Sequence, residues 1–457
     1  MTSTKTLAIA LLLSAFCATA PAADYERTLR VDYIFSGTAT STEIAVCELS
    51  SFEGWAGRSH NMDSVPLRGN GQIVMRDAQS REVLYMTSFS TLFQEWQCTE
   101  EATRLRKSFE NVFLLPMPHA KAVVSVTLFG FKGEITAEFE HTVDPSDILI
   151  RKRAVSEVPC RELLVSGPAQ DCIDVAIVAE GYTAEEAELF YQDAGIAMNE
   201  ILSYEPFNSL RDKFNFIAVA PASKDSGVSV PSEGEWKETA VGASFDTFYT
   251  ERYLTTLHLF KLHDLLAGLP YEHIIILANT ETYGGGGIYN SYTLTTTHNP
   301  YFRPVVVHEF GHSFAGLGDE YYYDDQYSEQ YYPGIEPWEQ NITTLADFPS
   351  KWQHLLCCEP DSLDRDAFVS DSLGRNAFVP DSLGRDAFEP TAPVADLWKQ
   401  IAEGADPASF VGIYEGGGYQ SKGVYRGYPD CRMKTNAAPV FCPVCQDAIR
   451  RLIEFYL

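Results

Sequence analysis

The sequence predicts a mixed α/β chain in two parts, a β-sandwich over residues 23–148 followed by a larger α/β part over 149–457. Three observations predict it. Short β-branched and aromatic runs punctuated by Gly, Asn and Pro fill the first part. Apolar strands alternate with helical stretches in the second. The chain has 457 residues, about 435 of them beyond the N-terminal leader described next, more than one core usually organises.

Lys5 precedes the apolar run Leu7–Leu13, which gives way to small residues at Ala18–Ala22. A positive start, a short apolar core and an Ala-x-Ala ending read as a signal peptide over residues 1–22. The run is too short to span a bilayer, and no later stretch approaches that length. A secreted or periplasmic location is therefore expected. Removing Lys5 with the leader takes Lys+Arg from 34 to 33 against 63 acidic side chains, a net charge near −30. Nucleic acid and anionic membranes need clustered Lys and Arg, so neither is expected as a partner. The oligomeric state is not readable.

In the first part, Leu29–Phe35, Ala122–Leu128 and Glu134–Phe139 alternate as half-buried strands do. No cluster of metal or nucleophile residues occurs there, which makes it an accessory domain for packing or binding. In the second part, Ile173–Ala179 reads as a buried strand. Thr183 and Glu186 then form a capping box that opens a helix to about Leu202. Phe214–Ala220 is a further strand, Tyr253–Leu266 a helical stretch, and His273–Ala278 another strand. Residues 361–390 hold one decapeptide three times, with Asp361–Phe368 recurring as Asp371–Phe378 and Asp381–Phe388. Three short copies bury little and read as an insertion in a surface loop.

Nine cysteines follow the leader. In an exported chain disulfides are the expected use. Cys47 with Cys98 and Cys160 with Cys172 are the plausible local pairs. Cys442-Pro443-Val444-Cys445 has the spacing of a zinc or redox motif, but Cys431, Cys357 and Cys358 are available as disulfide partners. The odd count leaves one thiol over.

The residues with most chemistry are His308-Glu309-Phe310-Gly311-His312. Asn299-Pro300 signals a helix start before them and Gly316 a stop after them. One helical turn separates the two histidines, so both imidazoles can reach one Zn2+. Glu309 projects beside them, where it can act as catalytic base on the attacking water. Val306, Phe310 and Leu317 fall on another face and anchor the helix in the core. Gly316 and Gly318 let the chain turn back, with Asp319 as third zinc ligand and Glu320 as the alternative. Upstream, Gly284–Gly287 reads as a turn feeding a strand through Ile288 and Tyr289. Gly286, Gly287, Ile288 and Tyr289 are the expected substrate-binding edge, which an extended peptide can join by main-chain hydrogen bonds.

At these residues the chain resembles the bacterial IgA-peptidase-type zinc metallopeptidases. The resemblance rests on Tyr283–Asn290, His308–Tyr321, Gly412–Tyr419, Gly423–Arg426, Cys431-Arg432-Met433 and Phe441–Cys445. Phe109–Pro116 is similar to the same group's N-terminal β-domain. The resemblance implies a zincin-like (metzincin-like) catalytic domain, with His308, His312 and Asp319 on zinc and Glu309 as base. It also implies that Met433 lies in a turn beneath the metal. In the broader metzincin pattern the third ligand falls six residues after the second histidine, whereas here Gly318 holds that place and Asp319 follows it. Tyr419, Tyr425 and Tyr428 are the candidates for an oxyanion donor. The expected activity is zinc-dependent hydrolysis of peptide bonds in a peptide or protein substrate. The alternatives are a zinc hydrolase of a non-protein amide or ester, and a non-catalytic surface-binding protein with a structural metal.

Overall fold

A computed structural model describes residues 23–323, 331–356 and 392–457. The leader, Cys357, Cys358 and the repeats at 361–390 lie outside the described residues. The fold is mixed α/β with several sheets and an N-terminal domain.

The N-terminal strands are β1 (Ala23–Thr38), β2 (Ser41–Glu53), β3 (Gly71–Asp77) and β4 (Val83–Phe89). After helix α1 (Leu92–Gln97) come β5 (Lys107–Pro118), β6 (Ala122–Phe129), β7 (Ile135–Val143) and the short β8 (Arg151–Lys152). They form two four-stranded sheets, ordered β5-β1-β2-β8 and β4-β3-β6-β7. Alternation on β1 decides which face is inside. Leu29, Val31, Tyr33 and Phe35 are fully buried against the other sheet, with Phe89 bridging to Phe113 at 4.5 Å between ring centroids.

The opposite face of β1 is also buried, although it carries Arg30 and Asp32. The later part of the chain covers it. Arg30 Nε donates to Asp32 Oδ1 at 2.6 Å, and its Nη1 and Nη2 reach Asp264 Oδ1 and the Phe260 carbonyl at 2.6 and 3.1 Å. Arg153 adds bonds to Asp264 and Glu48 at 2.6 and 2.7 Å.

The second part is built on β9 (Cys160–Leu164), β10 (Ile173–Glu180), β11 (Phe214–Val219), β12 (His273–Ala278), β13 (Gly285–Ile288) and β14 (Tyr292–Thr296). Their order is β13-β14-β12-β10-β11-β9. The four inner strands are parallel, and β9 and β13 are antiparallel edges. Every residue of β10 and β12 is buried, because both faces of the sheet are covered. Ile173, Val175 and Ile177 pack with helices α2 (Ala187–Ile201) and α4 (Phe302–Ala315). Ala176 and Val178 join α3 (Leu259–Leu265) and the N-terminal sheets in one continuous core. The Thr183–Glu186 capping box forms as expected, through a 3₁₀ turn that leads into α2.

A third layer follows α4. Strands β15 (Tyr322–Tyr323), β16 (Ile342–Thr343), β17 (Tyr414–Gly417) and β18 (Tyr419–Arg426) make a small sheet, with α5 (Ala392–Ala402) between β16 and β17 and α6 (Pro443–Tyr456) closing the chain. Among the described residues no helix is long and apolar enough to cross a membrane.

Three expectations need correction. The helix expected from Tyr253 begins at Leu259, because Thr255 exchanges both backbone bonds with Ser244 and holds that stretch extended. The glycine run at 284–287 is not a turn. Gly285–Ile288 is itself the edge strand, and the reversal falls at Asn290, whose φ is 52°. The local disulfides do not form. Cys160 faces Val219 at one end of β11, whereas Cys172 directly precedes Ile173, which faces Phe214 at the other, about 17 Å away. Cys47 is the extra residue of a bulge on β2, and the Cys98 thiol faces the Gln94 carbonyl at 3.6 Å. Nor do Cys431, Cys442 and Cys445 pair. They converge on Glu320.

Candidate metal centre and cleft

Helix α4 starts where Asn299 Oδ1 accepts the Tyr301 N–H at 2.9 Å and ends at Gly316, whose φ of 58° suits a residue without Cβ. Val306, Phe310 and, just beyond the helix, Leu317 are buried in the core, as expected. That anchoring turns His308, Glu309 and His312 toward an open cleft of about 820 Å³.

Both histidines are oriented from behind. His308 Nδ1 donates to the Arg432 carbonyl at 2.9 Å, and His312 Nδ1 to the Leu317 carbonyl at 2.6 Å. A carbonyl only accepts, so each neutral ring carries its proton on Nδ1 and a lone pair on Nε2. The two Nε2 atoms are 3.0 Å apart, and Asp319 Oδ1 lies 3.1 and 3.2 Å from them. Three ligand-type atoms thus meet at one point on the cleft wall. Asp319 Oδ1 has no hydrogen-bond donor there. Its other oxygen accepts the Tyr419 hydroxyl. These residues could hold a divalent cation, with chemistry and spacing that fit two imidazoles and one carboxylate.

Electrostatics favour positive charge at this point. Burial disfavours a charged imidazole, but Asp319 and Glu309 outweigh it and push His312 up to about 9. Burial likewise opposes a charged Asp319, yet the two imidazoles hold its carboxylate well below the ordinary range. Glu309 moves the other way. Burial raises it, and the neighbouring histidines only partly offset that.

Two close approaches shape the cleft. A Cβ on Gly287 would lie 2.3 Å from the Glu309 carbonyl oxygen and 2.8 Å from His312 Cβ, so only glycine lets β13 run this near the helix. A Cβ on Gly311 would lie 2.7 Å from Met433 Sδ. The expected methionine therefore packs beneath the helix, fully buried.

Gly286, Gly287, Ile288 and Tyr289 all line the cleft, although Ile288 and Tyr289 are themselves buried. Tyr289 is a packing residue, its ring 5.1 Å from Trp338. The three tyrosines divide. Tyr419 reaches the cleft, but its hydroxyl is committed to Asp319. Tyr425 lies on β18 outside the cleft lining, and Tyr428 is buried with its hydroxyl donated to the Pro407 carbonyl at 3.1 Å. Glu320, the alternative ligand, points away from the histidines into the cysteine cluster.

Several cleft residues escaped sequence reasoning. Arg68, Asn70, Ser90, Glu95 and Phe131 of the N-terminal domain form one wall. Glu95 accepts the Tyr253 hydroxyl, and burial pushes its carboxyl up to about 7. Tyr321 and Tyr331 line the cleft as well. No local motif marks these residues, because packing between segments distant in sequence assembles the wall.

Two family descriptions match the chain. One is "IgA Peptidase M64", over residues 161–371 and 392–453. The other is "Peptidase M64 N-terminus", over residues 22–140. No curated protein matches it.

Proposed function

This chain belongs to the IgA peptidase M64 family, and we propose that it is an exported zinc-dependent endopeptidase with His308, His312 and Asp319 as metal ligands and Glu309 as the base. Family membership makes it a peptidase acting on peptide or protein. The observation that carries the finer reading is the convergence of His308 Nε2, His312 Nε2 and Asp319 Oδ1 within 3.2 Å of one another, with both rings fixed through Nδ1. A divalent cation at that point would take all three as ligands.

Bound zinc would supply a Lewis acid for the scissile carbonyl and lower the pKa of water. The chain's own residues do the rest. Glu309, its affinity for protons raised by burial, takes a proton from the attacking water and passes it to the leaving amine. Tyr419 holds Asp319 Oδ2, leaving Oδ1 for the ion. The edge strand β13 pairs with β14 on one side and bridges to Tyr253 at Gly285 on the other, and an extended peptide laid in the cleft beside Gly286 and Gly287 would pass the ligands and Glu309. Arg68 and Glu95 of the N-terminal wall would meet side chains of that peptide.

The same reading takes the two N-terminal sheets as a β-sandwich over 23–148 and the remainder as a zincin-like domain over 149–457. Support comes from the face-to-face packing around Phe89 and from the metal helix beside an antiparallel edge strand. Residues 1–22 provide the export signal, on their charge and apolar pattern alone.

The test is Glu309→Ala on the mature chain, assayed on an unstructured protein substrate beside elemental analysis. Retained zinc with activity down about 100-fold or more is expected. Full activity in that variant would refute the assigned base.

A further inference from the structure

Behind the catalytic helix lies a second group of ligand-type side chains. Glu320, Cys431, Cys442 and Cys445 are all buried, and their ligand atoms lie within 4.8 Å of one another. We infer that this group is a structural zinc site, separate from the catalytic one, of three thiolates and one carboxylate.

Four observations carry it. Cys442-Pro443-Val444-Cys445 opens α6, with Cys442 as its N-cap and Cys445 in its first turn, so both sulfurs face the same side. Cys431 Sγ lies 3.7 Å from Cys445 Sγ, near the separation of about 3.8 Å that a tetrahedral ion with zinc–sulfur bonds of about 2.3 Å imposes. A disulfide needs about 2.05 Å. Cys431 Sγ also accepts the backbone N–H of Cys442 at 3.1 Å, a bond that steadies a thiolate ligand. Finally, Glu320 is fully buried with one oxygen unpartnered. Its Oε1 accepts from Asn341 Nδ2 at 2.9 Å and lies 3.2 Å from Cys445 Sγ. A buried carboxylate oxygen without a donor is costly unless a cation completes it.

The charge agrees. Three thiolates, one carboxylate and a divalent ion leave a formal charge of about −2, and Arg426 flanks the group as a positive charge.

The site has a mechanical consequence. Glu320 directly follows Asp319, and Cys431 directly precedes Arg432 and Met433. The Glu320 N–H donates to the Met433 carbonyl at 2.8 Å, joining the two segments. An ion at the cluster would tie together the catalytic carboxylate, the carbonyl that orients His308 and the methionine under the helix. This rests on the proposed catalytic centre only for its consequence, not for the site itself.

The experiment compares the mature wild-type chain with His308→Ala/His312→Ala and Cys442→Ser/Cys445→Ser. Two zinc per wild-type chain are expected, with one retained by the histidine variant after dialysis. Cobalt exchanged into the histidine variant should give thiolate-to-cobalt charge-transfer absorption, and the cysteine variant should lack it. If the cysteine variant does not fold, the histidine variant still decides. A histidine variant free of metal, or a peptide map showing Cys431, Cys442 or Cys445 in a disulfide, would overturn the second site. A histidine variant with one thiolate-bound zinc but undiminished peptidase activity would leave it standing and sink the catalytic assignment.

Discussion

Tyr419 shows how much one hydroxyl decides. It sits at φ 65° on the turn into β18 and donates to Asp319 Oδ2, so the aspartate presents Oδ1 alone to the two imidazoles. Tyr419→Phe should keep the fold and weaken zinc binding by about 10- to 100-fold, as loss of such supporting bonds does. Competition with a fluorescent chelator measures this, and unchanged affinity would mean that the bond does not orient the ligand. The histidine pair was legible in the sequence because its spacing is a helical turn and needs no tertiary information. Asp319 was the first choice from the sequence, with Glu320 kept as the alternative, and the local pattern alone did not separate them. Two adjacent carboxylates point opposite ways on extended backbone, and which way depends on the sheet formed with β18, about a hundred residues later.

At the scale of elements, β13 and α4 must lie close for the cleft edge to meet His308, Glu309 and His312. Gly287→Ala places its Cβ against the Glu309 carbonyl, a backbone atom that cannot rotate away. The strand or the helix must shift, and an ångström of misplacement costs about 100-fold in rate. A fall in kcat with little change in circular dichroism is the expected result. Glycines have low strand propensity, which is why this run read as a turn; close approach to the helix overrides propensity here. The capping box before α2, by contrast, is a contact within four residues and was readable directly.

Strand β10 carries a titration that can be predicted. Asp174 accepts from Asn215 Nδ2 at 3.0 Å, but its Oδ2 is buried without a partner, and burial pushes its carboxyl up to about 6. The folded protein keeps this proton up to about pH 6, whereas the unfolded chain releases it near 3.8. Its contribution therefore favours folding below pH 4, declines between pH 4 and 6, and is a standing cost of roughly 3 kcal/mol above that. Asp174→Asn should raise the melting temperature at pH 7.5 and leave it nearly unchanged at pH 4. An equal shift at both values would contradict the assignment.

For the whole molecule, the two parts expected from composition share one hydrophobic core, with the Arg30–Asp32–Asp264 network at their junction. Unfolding should be a single transition, seen alike by tryptophan fluorescence and by inhibition of the peptidase. Arg30→Ala removes the hydrogen-bonded partner of buried Asp32 and leaves it only Arg153 at 3.9 Å, so it should lower stability by about 3 kcal/mol in urea titrations. Two resolved transitions would contradict the shared core. Strands β1, β6, β7, β10, β11 and β12 were readable from periodicity, since each carries its own pattern. How the N-terminal domain reaches over to wall the cleft was not, because Arg68 and Glu95 belong to no motif and gain their place only when distant segments pack. The cysteines show the same limit. Their count suggested pairing, and only their positions around Glu320 showed convergence instead.

The central claim concerns what lies between His308, His312 and Asp319. A crystal structure of the mature chain with anomalous data collected on either side of the zinc edge addresses it directly. A zinc peak bonded to both Nε2 atoms and to Asp319 Oδ1, with a fourth position facing the cleft and free of protein ligands, is the predicted result. No peak there, or a shell closed by a fourth side chain, would contradict it.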